Sequence, residues 1–309
     1  MSVNNLFRLL VLGLVLGSAV LHAVPPRPVR PIPAIERIVV ISIDGLRPDR
    51  LLLADTPVLH AMVKEGAYTF WAKTTAVSVT LPSHVSMLTG MTPNKHGIEW
   101  NGDLPFSQPV YPLFPTIFET AKLGGYTTAL VCGKNKFGPL TKPGTLDYAF
   151  VPEKNLESDA EVADEAVKAI GLLKPDLLFV HFPTVDRIGH QFGWGSAEQL
   201  AAIALADRAV GRVVAALEEA GLRKSALIIV TADHGGQGKS HGADDARSRH
   251  IPWIASGPGV RAGFDLTQIA DLEVRTEDTA CTVLYLLGAP LPAYLEGKPV
   301  LAAFTPLTK

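Results

Sequence analysis

An unbroken apolar run, Ala226-Leu227-Ile228-Ile229-Val230-Thr231, empties into Ala232-Asp233-His234-Gly235-Gly236-Gln237-Gly238-Lys239-Ser240-His241. A strand with no alternating polar face has to be covered on both sides, as in a parallel sheet with helices above and below it. Side chains alternate across a strand, so Asp233 and His234 reach one region only where the strand gives way to a loop. Gly235, Gly236 and Gly238 let that loop turn and bring His241 back toward the pair. Carboxylate oxygen and imidazole nitrogen suit Zn²⁺, Mn²⁺ and similar ions. A plain Asp-His hydrogen bond in a turn would use the same residues, so the other strand ends have to decide between the two.

The rest of the chain repeats this alternation. Strands are expected at Arg37–Ile43, Tyr68–Ala72, Thr127–Val131, Leu177–Phe182, Leu227–Thr231 and Trp253–Ser256. Helical patterns fall at Thr56–Glu65, Ser83–Leu88, Thr116–Leu123, Ser158–Leu172, Ala197–Ala220 and Thr276–Leu287. The fold class is therefore α/β, a mainly parallel central sheet with helices on both faces and ligands bound beyond the carboxyl ends of the strands. Asn94–Pro115 and Lys134–Lys154 are rich in polar and turn-forming residues and read as loops over one end of that sheet.

With 309 residues, 47% of them hydrophobic, the chain is long enough for one large domain. A formal charge of -2 provides no basic field, which argues against polymeric nucleic acid as a partner. Residues 1–23 carry Arg8 and an apolar stretch from Leu9 to Val20, and read as a signal peptide cleaved after Ala23. Export to a periplasmic or secreted location follows from that reading. A retained anchor is the alternative, although the apolar core is short for a membrane span, and none is expected after cleavage. Five prolines between Pro25 and Pro33 make residues 24–34 an extended spacer, leaving 35–309 as a single folded domain. Cys132 and Cys281 would meet oxidising conditions after export, yet both lie in apolar surroundings that suit buried free thiols.

Two further strand ends deliver metal-type ligands. Arg37–Ile43 runs into Asp44-Gly45, a second acid at the same sheet edge, although an acid there could also cap a following helix. Leu177–Phe182 leads to Asp186 and His190, whose four-residue spacing puts both on one face of a helical turn or a tight loop. A hydroxyl joins them at Thr80-Leu81-Pro82-Ser83-His84. Pro82 favours a helix's first turn, so Thr80 or Leu81 stands at its N-terminus, where negative charge is stabilised. Thr80 fits there as a nucleophile or as a simple cap.

These residues, in this order, resemble the alkaline phosphatase superfamily, and within it the type I phosphodiesterase and nucleotide pyrophosphatase branch. The matching pieces are Ile43-Asp44-Gly45, Thr80 to His84 with Leu88-Thr89-Gly90, His96-Gly97-Ile98 followed by Asn101, Asp186 to Gly193, Asp233-His234-Gly235, and His241-Gly242 with Gly257-Pro258-Gly259. The resemblance implies an alkaline phosphatase-like fold and two Zn²⁺ ions, with Mn²⁺ or Fe²⁺ as alternatives. Asp186, His190 and His241 would hold one ion. Asp44, Asp233, His234 and the Thr80 hydroxyl would hold the other. Two ions ~4 Å apart suit in-line phosphoryl displacement, and coordination activates the threonine. Asn101 would donate to a nonbridging oxygen beside the Thr80 amide.

The implied enzyme is an exported di-zinc hydrolase of phosphate diesters or nucleotide pyrophosphates, acting on a small phosphate-ester or nucleotide substrate through a phosphothreonine intermediate. A phosphomonoesterase or phosphonate hydrolase with the same ions is the enzymatic alternative. A metal-stabilised binding protein without activity is the third. The Cys/Ser-x-Pro-Ser-Arg pattern of related sulfatases is absent from the Thr80 segment, which disfavours sulfate esters. The six residues between His234 and His241 leave little room for a lid, so an open site is expected. Nothing matches the extra Mg²⁺ site or the phosphate-gripping arginine of the phosphomonoesterase branch, and only Arg47, Arg187 and Arg247 are left open for the latter role. His84 and His96 are expected to hydrogen-bond locally, and His181 to belong to its strand.

Overall fold

The structure is a computed structural model that describes residues 27–102 and 110–306. The signal segment 1–23 lies outside the described residues, as do the first residues of the spacer and the middle of the Asn94–Pro115 loop. The strands are β1 Arg37–Ile43, β2 Ala67–Lys73, β3 Thr128–Cys132, β4 Tyr148–Phe150, β5 Leu177–Phe182, β6 Ala226–Thr231, β7 His250–Ser256 and β8 Phe264–Asp265. The helices are α1 Pro48–Leu51, α2 Pro57–Glu65, α3 Thr80–Thr89, α4 Pro93–His96, α5 Ile117–Leu123, α6 Asp159–Leu173, α7 Thr184–Phe192, α8 Ala197–Glu219, α9 Ala246–Arg249 and α10 Thr276–Leu286.

All eight strands form one sheet in the order β4-β3-β5-β1-β6-β7-β2-β8. The five strands from β4 to β6 run parallel. β7 is antiparallel to both β6 and β2, so the expected parallel sheet has a mixed flank. β1, at the centre, places Ser42 level with His181 of β5 and Thr231 of β6, and all three strands end at one edge. That registry brings Asp44 and Asp233 together although 188 residues separate Gly45 from its partner Asp233.

Helices cover both faces of the sheet. On one side α6, α7 and α2 pack against the long α8, and on the other α3 and α5 pack against α10. Local chemistry fixes several starts: Ser158 and Ser196 cap α6 and α8, and Thr116 with Glu119 closes a capping box on α5. The core of Val40, Ile41, Phe179, Val180, Ile228 and Ile229 is fully buried between the two layers.

Two expectations change. The Lys134–Lys154 stretch is not a plain loop but contains a 3-10 helix at Asn135–Leu140 and the edge strand β4. Three residues are too few to show an alternating pattern, which is why β4 is invisible in sequence. The folded domain, expected to begin at Ile35, takes in the end of the extended spacer: Ile32 joins the core and Arg27 pairs with Asp176 at 2.9 Å. Cys132 and Cys281 are buried and free, as their apolar surroundings suggest. Among the described residues no helix is long and apolar enough to cross a membrane.

Candidate metal centre and nucleophile

The C-terminal edge of β1, β5 and β6 gathers every residue singled out for the site. Asp44 follows β1 directly, Asp233 and His234 follow β6, and Asp186 and His190 sit on α7, which starts two residues after β5. His241 returns from the glycine loop, where its Nε2 comes within 3.1 Å of His190 Nε2. The helical alternative for Asp186 and His190 holds: Asp186 Oδ1 lies 3.3 Å from His190 Nε2 and 3.5 Å from His241 Nε2. On the other side His234 Nε2 lies 3.3 Å from Asp44 Oδ1, 3.2 Å from Asp233 Oδ2 and 3.5 Å from Thr80 Oγ1.

The protonation pattern gives these distances their meaning. A carbonyl oxygen can only accept, so the Nδ1 of His190, His234 and His241 must donate to the carbonyls of Lys239, Gly235 and Ser78. Each neutral ring then aims the Nε2 lone pair into the site. Burial and the neighbouring His241 push the pKa of His234 down to about 4, which keeps it neutral. Burial likewise lowers His241, whereas Asp186, 3.3 Å from the ring, raises half-exposed His190, which offers its Nε2 lone pair only once that nitrogen is deprotonated.

Each carboxylate has one oxygen engaged and one without a partner. Asp44 Oδ2 accepts from His181 and Lys134, Asp186 Oδ2 accepts from Lys134, and Asp233 Oδ1 accepts from the Gly45 amide. Asp44 Oδ1, Asp186 Oδ1 and Asp233 Oδ2 are buried without a donor. These are the oxygens that face the imidazole lone pairs. Acceptors turned on acceptors in a buried site repel one another unless a cation lies between them, and these O and N donors suit a divalent ion. The groups Asp186–His190–His241 and Asp44–Asp186–His234 each cluster tightly enough to hold an ion.

Thr80 opens α3, but its hydroxyl is not the cap. Val79 holds the N-cap position with no side-chain bond, and Thr80 Oγ1 points to His234 and to Lys134 Nζ, 3.4 Å away. Asp44 likewise caps nothing, since Arg47 is the N-cap residue of α1. Asn101 turns its Oδ1 to the Leu81 amide at 2.9 Å, which leaves its NH₂ group to donate beside the start of α3. The expectation of an open site is met on one side only: the His190 side chain is 46% exposed, whereas Thr80 is 1% exposed. Of the arginines, Arg47 binds Asp49 and the Gly236 carbonyl, and Arg187 binds Glu157.

Two residues escaped the sequence reading. Lys134 stands between Asp44 and Asp186 at 2.7 and 2.6 Å, and although burial disfavours its charge, those carboxylates hold its pKa above the ordinary lysine value. Burial opposes ionisation of Asp44 too, but Lys134 and His181 keep it well below the usual carboxylate range. Asp233 is pushed the other way by burial and by Asp44. His181, level with Ser42 in β5, accepts from the Gly133 amide at Nδ1 and donates to Asp44 from Nε2 at 2.8 Å. His84 bonds the Thr80 carbonyl and Ser42, and His96 bonds Ser86, the local roles expected of them.

Comparison with known proteins agrees with this geometry. A family model described as type I phosphodiesterase / nucleotide pyrophosphatase matches residues 38–114 and 99–246. The 2,3-bisphosphoglycerate-independent phosphoglycerate mutase of Shewanella oneidensis is 32% identical over 164 residues, which is 52% of this chain and 29% of that protein. The chain thus spans less than half the length of the curated relatives it matches. Among solved structures, murine ectonucleotide pyrophosphatase / phosphodiesterase 5, in an inactive threonine-to-alanine form bound to AMP, has a TM-score of 0.72 at 17% identity, covering 87% of this chain and all of that one. Phosphonate monoester hydrolase from Silicibacter pomeroyi has a TM-score of 0.66 at 16% identity, covering 88% of this chain and 77% of that one. These two structures share the fold.

Proposed function

Because the chain belongs to the type I phosphodiesterase / nucleotide pyrophosphatase family of the alkaline phosphatase superfamily, we propose that it hydrolyses phosphate diesters or nucleotide pyrophosphates through a covalent intermediate at Thr80. One observation carries the reading: three partnerless carboxylate oxygens face imidazole lone pairs beside a threonine hydroxyl that caps no helix. Asp186, His190 and His241 would hold one Zn²⁺, and Asp44, Asp233, His234 and the Thr80 hydroxyl the other, with Mn²⁺ or Fe²⁺ suited to the same donors. When bound, such a pair supplies Lewis acidity and lowers the pKa of a hydroxyl or water.

The residues of the chain do the rest. Thr80 Oγ attacks phosphorus and the leaving alcohol or nucleotide departs, so that Thr80 carries the phosphoryl group with its retained ester substituent. Lys134, 3.4 Å from that oxygen, stabilises its negative charge. The Thr80 amide and the NH₂ group of Asn101, whose Oδ1 is held by the Leu81 amide, donate to the nonbridging oxygens. Water then cleaves the threonine ester and restores the hydroxyl. The AMP bound by the murine neighbour supports a small nucleotide as the kind of substrate. Export, read from residues 1–23, belongs to the same proposal.

A second reading, a phosphomonoester or phosphonate hydrolase, is favoured by one feature. Lys136 Nζ donates to the Asn101 carbonyl at 2.8 Å, so two lysines stand where a dianionic phosphoryl group would sit. Purified protein supplied with Zn²⁺ should hydrolyse bis-p-nitrophenyl phosphate faster than the monoester. The opposite ratio selects the second reading, and no turnover of either ester leaves a metal-stabilised binding protein.

A further inference from the structure

Trp194 is 8% exposed and lies where the ligand-bearing segments converge. Its indole Nε1–H donates to the carbonyl of Gly45, the residue after Asp44, at 2.9 Å. Its own amide donates to Gly238 in the loop between His234 and His241 at 2.7 Å. The ring meets His190 edge-on at 5.2 Å and His241 at 5.9 Å between centroids. One indole therefore touches every candidate ligand segment except the start of α3.

The glycines of those segments fit the same indole. A Cβ on Gly189, the residue before His190, would come within 2.9 Å of the indole Cδ2 and Cε2, and one on Gly45 within 3.2 Å of Cζ2. A Cβ on Gly236, two residues after His234, would overlap Cε2 and Cδ2. Neither Gly189 nor Gly236 has a positive φ, so their backbones would accept alanine. Gly189 even sits inside α7, where glycine costs about 1 kcal/mol relative to alanine. What excludes a side chain at Gly236 is the space taken by Trp194, and at Gly189 the indole shares that role with Gln199 Nε2, which would also lie 2.9 Å away.

We propose that Trp194 is a positioning residue that locks the Asp44, α7 and glycine-loop segments against one another and so sets how tightly the Asp186–His190–His241 group holds its ion. The inference rests on the two-metal reading above. The indole acts through shape and one hydrogen bond and need not touch substrate.

The test is Zn²⁺ affinity and stoichiometry, measured by chelator competition on the full chain for wild type, Trp194→Ala, Gly236→Ala and the double variant, with circular dichroism as the check on folding. Each single change should weaken one ion by ~10–100-fold, the range for residues that orient ligands from behind. The double variant should bind no more weakly than Trp194→Ala alone, because the added methyl enters vacated space. Wild-type affinity in Trp194→Ala, or losses that simply add in the double variant, would overturn the inference. Should Trp194→Ala not fold, tryptophan emission decides. Zn²⁺ should change the emission of wild type and Trp253→Phe but not that of Trp194→Phe, and a persisting change in Trp194→Phe refutes the assignment. A wild type that binds no metal refutes the two-metal reading instead, whereas two ions bound without regard to Trp194 refute only this inference.

Discussion

Asp44, Asp233, His234 and Thr80 are sealed at the end of the sheet, whereas His190, barely one helical turn beyond Asp186, leaves almost half its side chain in solvent. The sealed group is fixed by strand registry and by a tier of buried partners: His181 on Asp44, His84 on the Thr80 carbonyl, and Ser42 on His84. The open group hangs on a short helix and a glycine loop, and its imidazoles make their Nδ1 hydrogen bonds to backbone carbonyls and pack against Trp194. The contrast separates two tasks. In the proposed reaction, the half that would carry the nucleophile is held by buried partners before anything binds, and the half that meets solvent would admit substrate and water.

The largest effect should come from the sealed half. Thr80→Ala should lower kcat/KM by at least ~10³-fold while leaving the ion of the open half bound. Full activity in this variant would rule out the covalent route and erase the functional distinction between the halves.

Lys134 joins the halves, since it pairs with one carboxylate from each. In chelator, Lys134→Met leaves buried Asp44, Asp186 and Asp233 without their cation and should cost about 3 kcal/mol of stability in urea unfolding. Zn²⁺ should recover most of the loss by binding the folded form. If the variant is unaffected in chelator, the carboxylates do not depend on this lysine.

Deletions within each half sharpen the contrast. Metal analysis should find a single ion in His190→Ala with little change in thermal stability. His181→Ala should retain both ions while weakening the sealed one by ~10–100-fold. An equal loss from both halves in either variant would show that they are one unit.

The smallest effect concerns the support of α7. Asp159 accepts from the Thr184 amide at the start of that helix, and burial raises its pKa to about 6 from 3.8. A raised carboxyl pKa means that the fold binds the proton more tightly than the unfolded chain does. Its contribution is thus complete below about pH 4 and is lost as pH rises through about 6. Wild type should lose on the order of 1 kcal/mol more than Asp159→Asn between those limits. Parallel stability curves would remove Asp159 from the account.

Most of this architecture is legible in the chain because it is written in continuous patterns. β1, β5 and β6 are predominantly apolar runs, and each is followed by a metal-type residue within a few positions. What sequence hides depends on pairing across distance. His181 lies within the apolar run of β5, and only its registry with Ser42 shows that it faces Asp44. Lys134 begins a stretch that looks like solvated loop, yet its ammonium is buried between two acids. The antiparallel flank of β7 and β2 has the same composition as the parallel core, because direction is not encoded in hydrophobicity. Gly236 reads as a residue that lets the loop turn, whereas its lack of a side chain answers to the volume of an indole elsewhere in the chain.

The docked spacer gives the molecule a mounting direction. Arg27 is pinned to Asp176, the residue immediately before β5, so the chain enters at the edge where the parallel strands begin. The edge that bears the candidate metal centre lies at the far end of strands such as the seven-residue β1, ~20 Å away through the sheet. A linkage made at Arg27 itself is therefore attached on the side away from the candidate centre. Immobilisation through that end should preserve turnover.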